Sequence, residues 1–423
     1  MIRYRISTIL FVVCIVAWAS LPVSAQCNGE AAKLGTLIKV GDDDGKKVPL
    51  LLVHGIQGVE ADGDIAVLDD YWTAFINNFW KNDKALQAKY ALYTFQYCSD
   101  RVEVSEIAGE LRNLVDDGLA DRKHVILAHS MGGLVATAYM TALHQKGQWK
   151  DKTGGDTTLA LITLATPHHG TPGANSPKTL EKYVPLLYKL FYARANKLYW
   201  ESTLGKDHPA VSDSSLPNRS DLRWDNYDLK FGEQTADTPG DLNKKLYARN
   251  LLFKKYAAKM IVYSGYLANS VSGLDALQAL NEMARGGNIS SKENKHRVLN
   301  MANYFFANGL SNNFKPTDGL VPFDSGLFCD TPGAISKTSS AAPKNFVCNS
   351  SVRARRFEPG SKNGLVSRAE YPDKNTLSIF RSKAGFDHLD MLENADVLGF
   401  LVKDLKSVLN LQSPNAAGNK SKK

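Results

Sequence analysis

The chain has 423 residues and a formal net charge of +8, with 43% hydrophobic and 22% charged residues. The basic excess is spread out, apart from the tail Lys420-Ser421-Lys422-Lys423, and no basic stripe interleaved with aromatics marks a nucleic-acid surface. The length can bury a large core, as one domain with insertions or as two, and no segment after the first twenty-five residues is apolar for long enough to span a bilayer.

Residues 1–25 read as a secretory signal peptide. Arg3 and Arg5 make a basic start, Ile6 to Ala19 a short apolar core, and Val23-Ser24-Ala25 the small residues before a cut at Gln26. The expected location is secreted or periplasmic. Cys27 lacks the leucine and the small preceding residue of a lipidation site. Beyond the cut lie Cys27, Cys98, Cys329 and Cys348. An even number in an exported chain suggests disulfides. Cys329–Cys348 would close a short loop rich in Pro and Ser and is the favoured pair, leaving Cys27–Cys98.

Val48 to Val53 is an apolar run feeding the turn His54-Gly55-Ile56-Gln57-Gly58. Tyr71 to Trp80 has helical spacing through Trp72, Phe75, Ile76 and Phe79. Tyr90 to Tyr97 alternates like a strand. Val104 to Leu119 reads as an amphipathic helix (Ile107, Leu111, Leu114, Val115).

The most informative run follows: Val125-Ile126-Leu127-Ala128-His129-Ser130-Met131-Gly132-Gly133. It reads as a buried strand, a sharp turn with a serine at its apex, and a helix start. A nucleophile elbow needs small residues two positions either side of the serine, because the backbone there is strained and neighbouring chain passes close. Ala128 and Gly132 meet that need, with Ala128 replacing the more usual glycine. A strand–helix turn with Ser130 as a helix cap is the plainer alternative.

Leu159 to Ala165 is a further buried strand, ending in Thr166-Pro167-His168-His169-Gly170. The β-α-β-α-β alternation implies a mostly parallel central sheet with helices on both faces. The rhythm breaks at Thr171, so residues 171–258 are expected to be an inserted helical cap or lid. Within it, Tyr183 to Tyr192 is unusually aromatic and apolar. It suits either a lid helix that opens on lipid or ordinary cap core. Met260 to Tyr266 resumes the sheet, and a second insertion covers about 267–314. Thr376 to Phe380 is the last strand and Met391 to Leu411 a closing helix. The expected catalytic domain is 26–411, with a flexible basic tail at 412–423.

A serine hydroxyl needs a base within hydrogen-bond reach. In the α/β-hydrolase order the acid and then the histidine follow the serine. Beyond residue 296 the chain holds one histidine, His388, in a loop before the last helix. The acid is expected in Thr317-Asp318-Gly319-Leu320-Val321-Pro322, making Asp318 the candidate, with Asp324 and Asp275 as competitors. The oxyanion needs two backbone donors. These are expected from Met131 N–H and Ile56 N–H, with Gln57 as runner-up. His54 is read as bracing its loop.

The five motifs around His54, Ser130, His168, Asp318 and His388 resemble those of secreted bacterial α/β-hydrolase lipases and esterases, over residues 48–411. The resemblance implies an α/β-hydrolase fold with a lid over Ser130. It also implies hydrolysis of carboxylic esters of acyl lipids through an acyl-enzyme. A phospholipase or acyltransferase on the same scaffold is the alternative; a catalytically dead binding protein is disfavoured because all three triad positions are filled. The expected partner is an acyl-ester lipid at a lipid–water interface, with no nucleic acid; a need for a folding helper protein is left open. No cofactor is expected to be required. Some relatives bind calcium through an aspartate two residues after the histidine, a position Asp390 occupies, although Val298-Leu299-Asn300 offers no partner aspartate upstream. Otherwise Asp390 suits the N-terminus of the last helix.

Overall fold

The computed structural model describes residues 35–55, 71–97, 99, 103–119, 122–171, 222, 244–268, 316–329, 350–370 and 374–410. The described strands are β1 (Gly35–Val40), β2 (Val48–Val53), β3 (Tyr90–Tyr97), β4 (His124–His129), β5 (Thr158–Leu164), β6 (Met260–Gly265), β7 (Arg353–Pro359), β8 (Gly364–Leu365) and β9 (Thr376–Ser382). They form one sheet in the order β1-β3-β2-β4-β5-β6-β7-β9-β8. The edge pairs β1–β3 and β8–β9 are antiparallel, and every other pair is parallel.

Central strands buried on both faces are near-continuous apolar runs. In β2, Leu50 and Leu52 face one core and Leu51 and Val53 the other. In β4, Val125 and Leu127 face the first core and Ile126 and Ala128 the second. One layer of helices is α1 (Lys84–Lys89) with the helical residues 71–75, which run into a π-helical turn at Ile76–Trp80. The long C-terminal helix joins this layer. The opposite layer holds α2 (Val104–Gly118), α3 (Met131–Thr141) and α4 (Lys244–Phe253). This is the α/β-hydrolase fold, with mostly parallel strands and helices on both faces.

Most expected elements lie within a residue or two of their predicted places. The closing helix is the clearest exception. It is a short turn, Asp390–Glu393, then α5 (Ala395–Asn410). The break falls at Asn394, whose backbone is extended and whose side chain accepts the Asp396 N–H at 2.9 Å. An asparagine that bonds the backbone locally starts a new helix better than it continues an old one.

Strands β1, β7 and the two-residue β8 have no counterpart in the sequence reading. β7 (Arg353-Ala354-Arg355-Arg356-Phe357-Glu358-Pro359) looks too charged for an interior strand. Arg355, Arg356 and Glu358 are paired. Arg355 makes a bidentate contact with Asp404 of α5, both N–O distances being 2.6 Å, and Arg356 meets Glu358 at 2.6 Å. Buried charges persist when they are paired and hydrogen-bonded.

Of the expected cap at 171–258, the described residues 244–253 form α4. Leu246 and Phe253 are fully buried there, in the core shared with α3. Tyr183 to Tyr192, most of the second insertion, the signal segment and the basic tail lie outside the described residues. Among the described residues, no helix is long and apolar enough to cross a membrane.

Candidate active site

Ser130 follows the last residue of β4 and immediately precedes α3. Its backbone has φ 53° and ψ −130°, a strained conformation for a residue with a side chain. The turn is this tight because β2 passes under α3. A Cβ placed on Gly132 would lie 2.3 Å from the His54 carbonyl oxygen and 2.4 Å from that of Val53, so only glycine fits. A Cβ on Gly55 would lie 2.8 Å from Ser130 Cβ, which puts the turn after β2 directly against the serine. Ala128, two residues before Ser130, is fully buried and pairs with Val53 and Thr163 across the sheet.

Met131 is the first residue of α3, where amide N–H groups lack an intrahelical acceptor. Its N–H is therefore available beside Ser130. Ile56 and Gln57, the other expected donors, lie outside the described residues.

His388 and Asp318 are brought together across seventy residues of chain. His388 Nδ1 lies 2.8 Å from Asp318 Oδ2, and the His388 N–H donates to the Asp318 carbonyl at 3.0 Å. Both side chains are buried. The other carboxylate oxygen, Oδ1, accepts N–H groups of Leu320 (2.9 Å) and Val321 (2.7 Å). The carboxylate is thus held on one side by its own turn and offers its free oxygen to the imidazole. An imidazole that donates from Nδ1 leaves Nε2 as an acceptor. Asp324 sits in the helical turn Phe323–Gly326, and its Oδ1 accepts the Ser325 N–H. Asp275 lies outside the described residues.

His54 is another buried imidazole near the serine. Nδ1 lies 2.7 Å from the Gly55 carbonyl, and Nε2 accepts the Tyr97 N–H at 3.3 Å. Its ring stacks on Tyr97 with 4.0 Å between centroids. Burial lowers its pKa to about 4, so it is neutral near pH 7. These contacts brace the loop after β2, as the sequence suggests. His168, at the end of β5, is also buried. Its Nε2 bonds Thr163 Oγ1 at 3.1 Å, and burial holds it well below the ordinary imidazole range.

The structure adds two residues that sequence reasoning passed over, Tyr71 and His129. Tyr71 Oη accepts the Gly55 N–H at 2.8 Å and lies 2.6 Å from His129 Nδ1. His129 Nε2 lies 3.1 Å from the His388 carbonyl oxygen. The position of His129 next to the serine was a signal. Tyr71 carried none, being fifty-eight residues away in the chain.

Asp390 stands in the first turn of Asp390–Glu393. Its Oδ2 accepts the Asp387 N–H at 2.9 Å, while Asp387 Oδ1 accepts N–H groups of Leu389 and Asp390. That reciprocal pair caps the helix start. Among the described residues, no group of three or more His, Cys, Asp or Glu is arranged to hold a metal ion. Asp390 thus serves the helix start, and residues 298–300, where an upstream calcium partner is expected, lie outside the described residues. Cys329 is fully buried and disulfide-bonded. Cys27, Cys98 and Cys348 lie outside the described residues, and both expected pairings with them.

Residues 46–194 match a family model described as "Putative serine esterase (DUF676)". No curated protein sequence matches the chain. Solved structures with similarity include a mature Bacillus licheniformis lipase, BlEst2, at 14% identity, covering 88% of this chain and 97% of that one, with a TM-score of 0.36. Staphylococcus hyicus lipase is 15% identical over 88% of this chain and 99% of that one, with a TM-score of 0.39. EstA from Clostridium botulinum is 13% identical over 94% and 97%, with a TM-score of 0.38.

Proposed function

We propose that this protein is a serine hydrolase cleaving carboxylic esters of acyl lipids. One observation carries the reading: the 2.8 Å contact of His388 Nδ1 with Asp318 Oδ2, in a protein whose strand β4 is followed directly by a serine of strained backbone. In this reading Ser130 Oγ attacks the ester carbonyl while His388 Nε2 takes its proton. Met131 N–H and Ile56 N–H bind the oxyanion of the tetrahedral intermediate. Collapse expels the alcohol, protonated by His388, and leaves an acyl-Ser130 ester. His388 then activates water, which releases the acid and restores the hydroxyl. Asp318 holds the imidazole in the Nδ1–H tautomer and stabilises imidazolium.

The match of residues 46–194 to a serine-esterase family supports the reaction class. The aromatic and apolar segment from Tyr183 to Tyr192 supports a lipid substrate, as a lid that opens at an interface. In the same reading residues 1–25 direct export, residues 171–258 and 267–314 are insertions over a catalytic domain ending near 411, and Cys329 pairs with Cys348.

The test uses mature protein starting at Gln26. Ser130→Ala is expected to abolish p-nitrophenyl ester turnover and labelling by a fluorophosphonate. Labelling that persists in the variant moves the nucleophile elsewhere. Triglyceride, phospholipid and short-chain ester are then compared below and above substrate solubility, with and without an acceptor alcohol. A rise in triglyceride hydrolysis at the interface supports the lid; acyl transfer to the alcohol as the main outcome replaces hydrolase with acyltransferase.

A further inference from the structure

We propose that Tyr71 and His129 are positioning residues, forming a hydrogen-bond relay that ties the glycine turn after β2 to the backbone of His388 and so sets the distance from base to nucleophile. The proposal rests on the reading of Ser130 as nucleophile and His388 as base.

The direction of every hydrogen in the relay follows from the groups present. A backbone carbonyl only accepts, so His129 Nε2, 3.1 Å from the His388 oxygen, carries the proton and donates it. His129 is buried, and burial together with the nearby His388 pushes its pKa well below the ordinary imidazole range. It is therefore neutral, and Nδ1 is a bare acceptor. Tyr71 Oη, 2.6 Å from that nitrogen, donates its hydrogen there. The same oxygen takes the Gly55 N–H at 2.8 Å. The relay runs one way: Gly55 N–H to Tyr71, Tyr71 O–H to His129, His129 N–H to the His388 carbonyl.

Each end of the relay touches a part of the reaction. Gly55 immediately precedes Ile56, the expected second oxyanion donor. His129 is bonded covalently to Ser130, and its ring lies 4.7 Å from the ring of His388. One side chain thus links nucleophile and base through a single residue. Asp318 fixes the other side of His388, through the ring and the backbone N–H. With both its N–H and its carbonyl held, the His388 backbone has little freedom to drift. Misplacement of reacting groups by about 1 Å costs on the order of a hundredfold in rate.

The experiment measures kcat and KM for p-nitrophenyl butyrate in wild type, Tyr71→Phe, His129→Phe, the double variant and His129→Gln. Tyr71→Phe removes one oxygen and keeps the ring, so it tests the relay even if His129→Phe folds poorly. We expect Tyr71→Phe and His129→Phe each to lower kcat about 10- to 100-fold, with KM changed by less than about twofold. Two links of one relay act as a unit, so the double variant is expected to be no worse than the weaker single variant by more than about twofold. His129→Gln keeps an N–H donor near the Nε2 position and is expected to recover activity over His129→Phe. A Tyr71→Phe enzyme with wild-type kcat overturns the proposal. So do multiplicative losses in the double variant, or a His129→Gln enzyme no better than His129→Phe. Wild type that a fluorophosphonate fails to label at Ser130 instead removes the underlying nucleophile reading, and so separates the two failures.

Discussion

His388 and Asp318 are joined twice. The imidazole Nδ1 lies 2.8 Å from the carboxylate, and the His388 N–H donates to the Asp318 carbonyl at 3.0 Å. The side-chain contact selects a tautomer and the backbone contact fixes the loop. If the carboxylate acts as proposed, Asp318→Asn keeps the shape but presents an amide where the ring needs an acceptor. We expect a loss in kcat on the order of 10⁴-fold, as in other triads. Asp324→Asn should leave kcat within about an order of magnitude, since Asp324 binds the N–H of Ser325 rather than the imidazole. Steady-state kinetics on both variants checks this, and the opposite ranking would transfer the role to Asp324.

Buried histidines make stability depend on pH, His54 and His124 among them. His54 and His124 have pKa values lowered to about 4 by burial, against 6.5 for an exposed imidazole. The folded pKa is the lower one, so between the two values the unfolded chain binds more protons. Stability is therefore present above about 6.5 and lost as pH falls towards 4, by up to about 3 kcal/mol for each histidine. Urea midpoints should decline across that window. His124→Gln, which does not ionise, should flatten the decline even if it lowers the midpoint at pH 7.

The small residues flanking Ser130 differ in what they tolerate. Gly132→Ala places a methyl 2.3 Å from the His54 carbonyl, where backbone cannot easily yield. We expect a loss of about 1–3 kcal/mol or more, with activity falling as the elbow shifts. Ala128→Gly removes a methyl from a buried strand position and should cost about 1 kcal/mol while activity survives. Thermal melting with parallel ester assays distinguishes the two. An inactive Ala128→Gly enzyme would show that the alanine does more than fill space.

Far from the serine, Arg355 and Asp404 bind β7 to α5. Their side chains are 11% and 6% exposed, and Tyr263 also donates its hydroxyl to Asp404. Asp404→Asn leaves a buried guanidinium without its counter-charge. The expected cost is about 3–5 kcal/mol, read from denaturant unfolding, with kcat unchanged in the folded fraction. A change below about 1 kcal/mol would mean that water or another group replaces the carboxylate.

Much of this architecture was legible in the chain. β2, β3, β4, β5, β6 and β9 are runs of apolar or alternating residues, and such periodicity reports burial directly. The elbow was legible because strain demands small neighbours at fixed offsets. The order of serine, acid and histidine narrowed the base to His388. β7 was hidden because Arg355 and Glu358 find partners on α5 and β9 and Arg356 pairs with Glu358 within the strand, and such pairing leaves no mark on local hydropathy. β1 was hidden because an edge strand that is only partly buried is weakly patterned.

By itself, then, the sequence determined the sheet's interior strands, the apex serine and the residues that chain order tied to it, because burial and backbone strain act over a few neighbouring positions. Only the tertiary structure decided which aspartate meets His388, that Asp390 secures a helix start, and that Tyr71 and His129 join the two sides of the site. Those contacts span up to 259 residues of chain, and their hydrogen-bond directions exist only once the folded partners stand within 3 Å or so of each other.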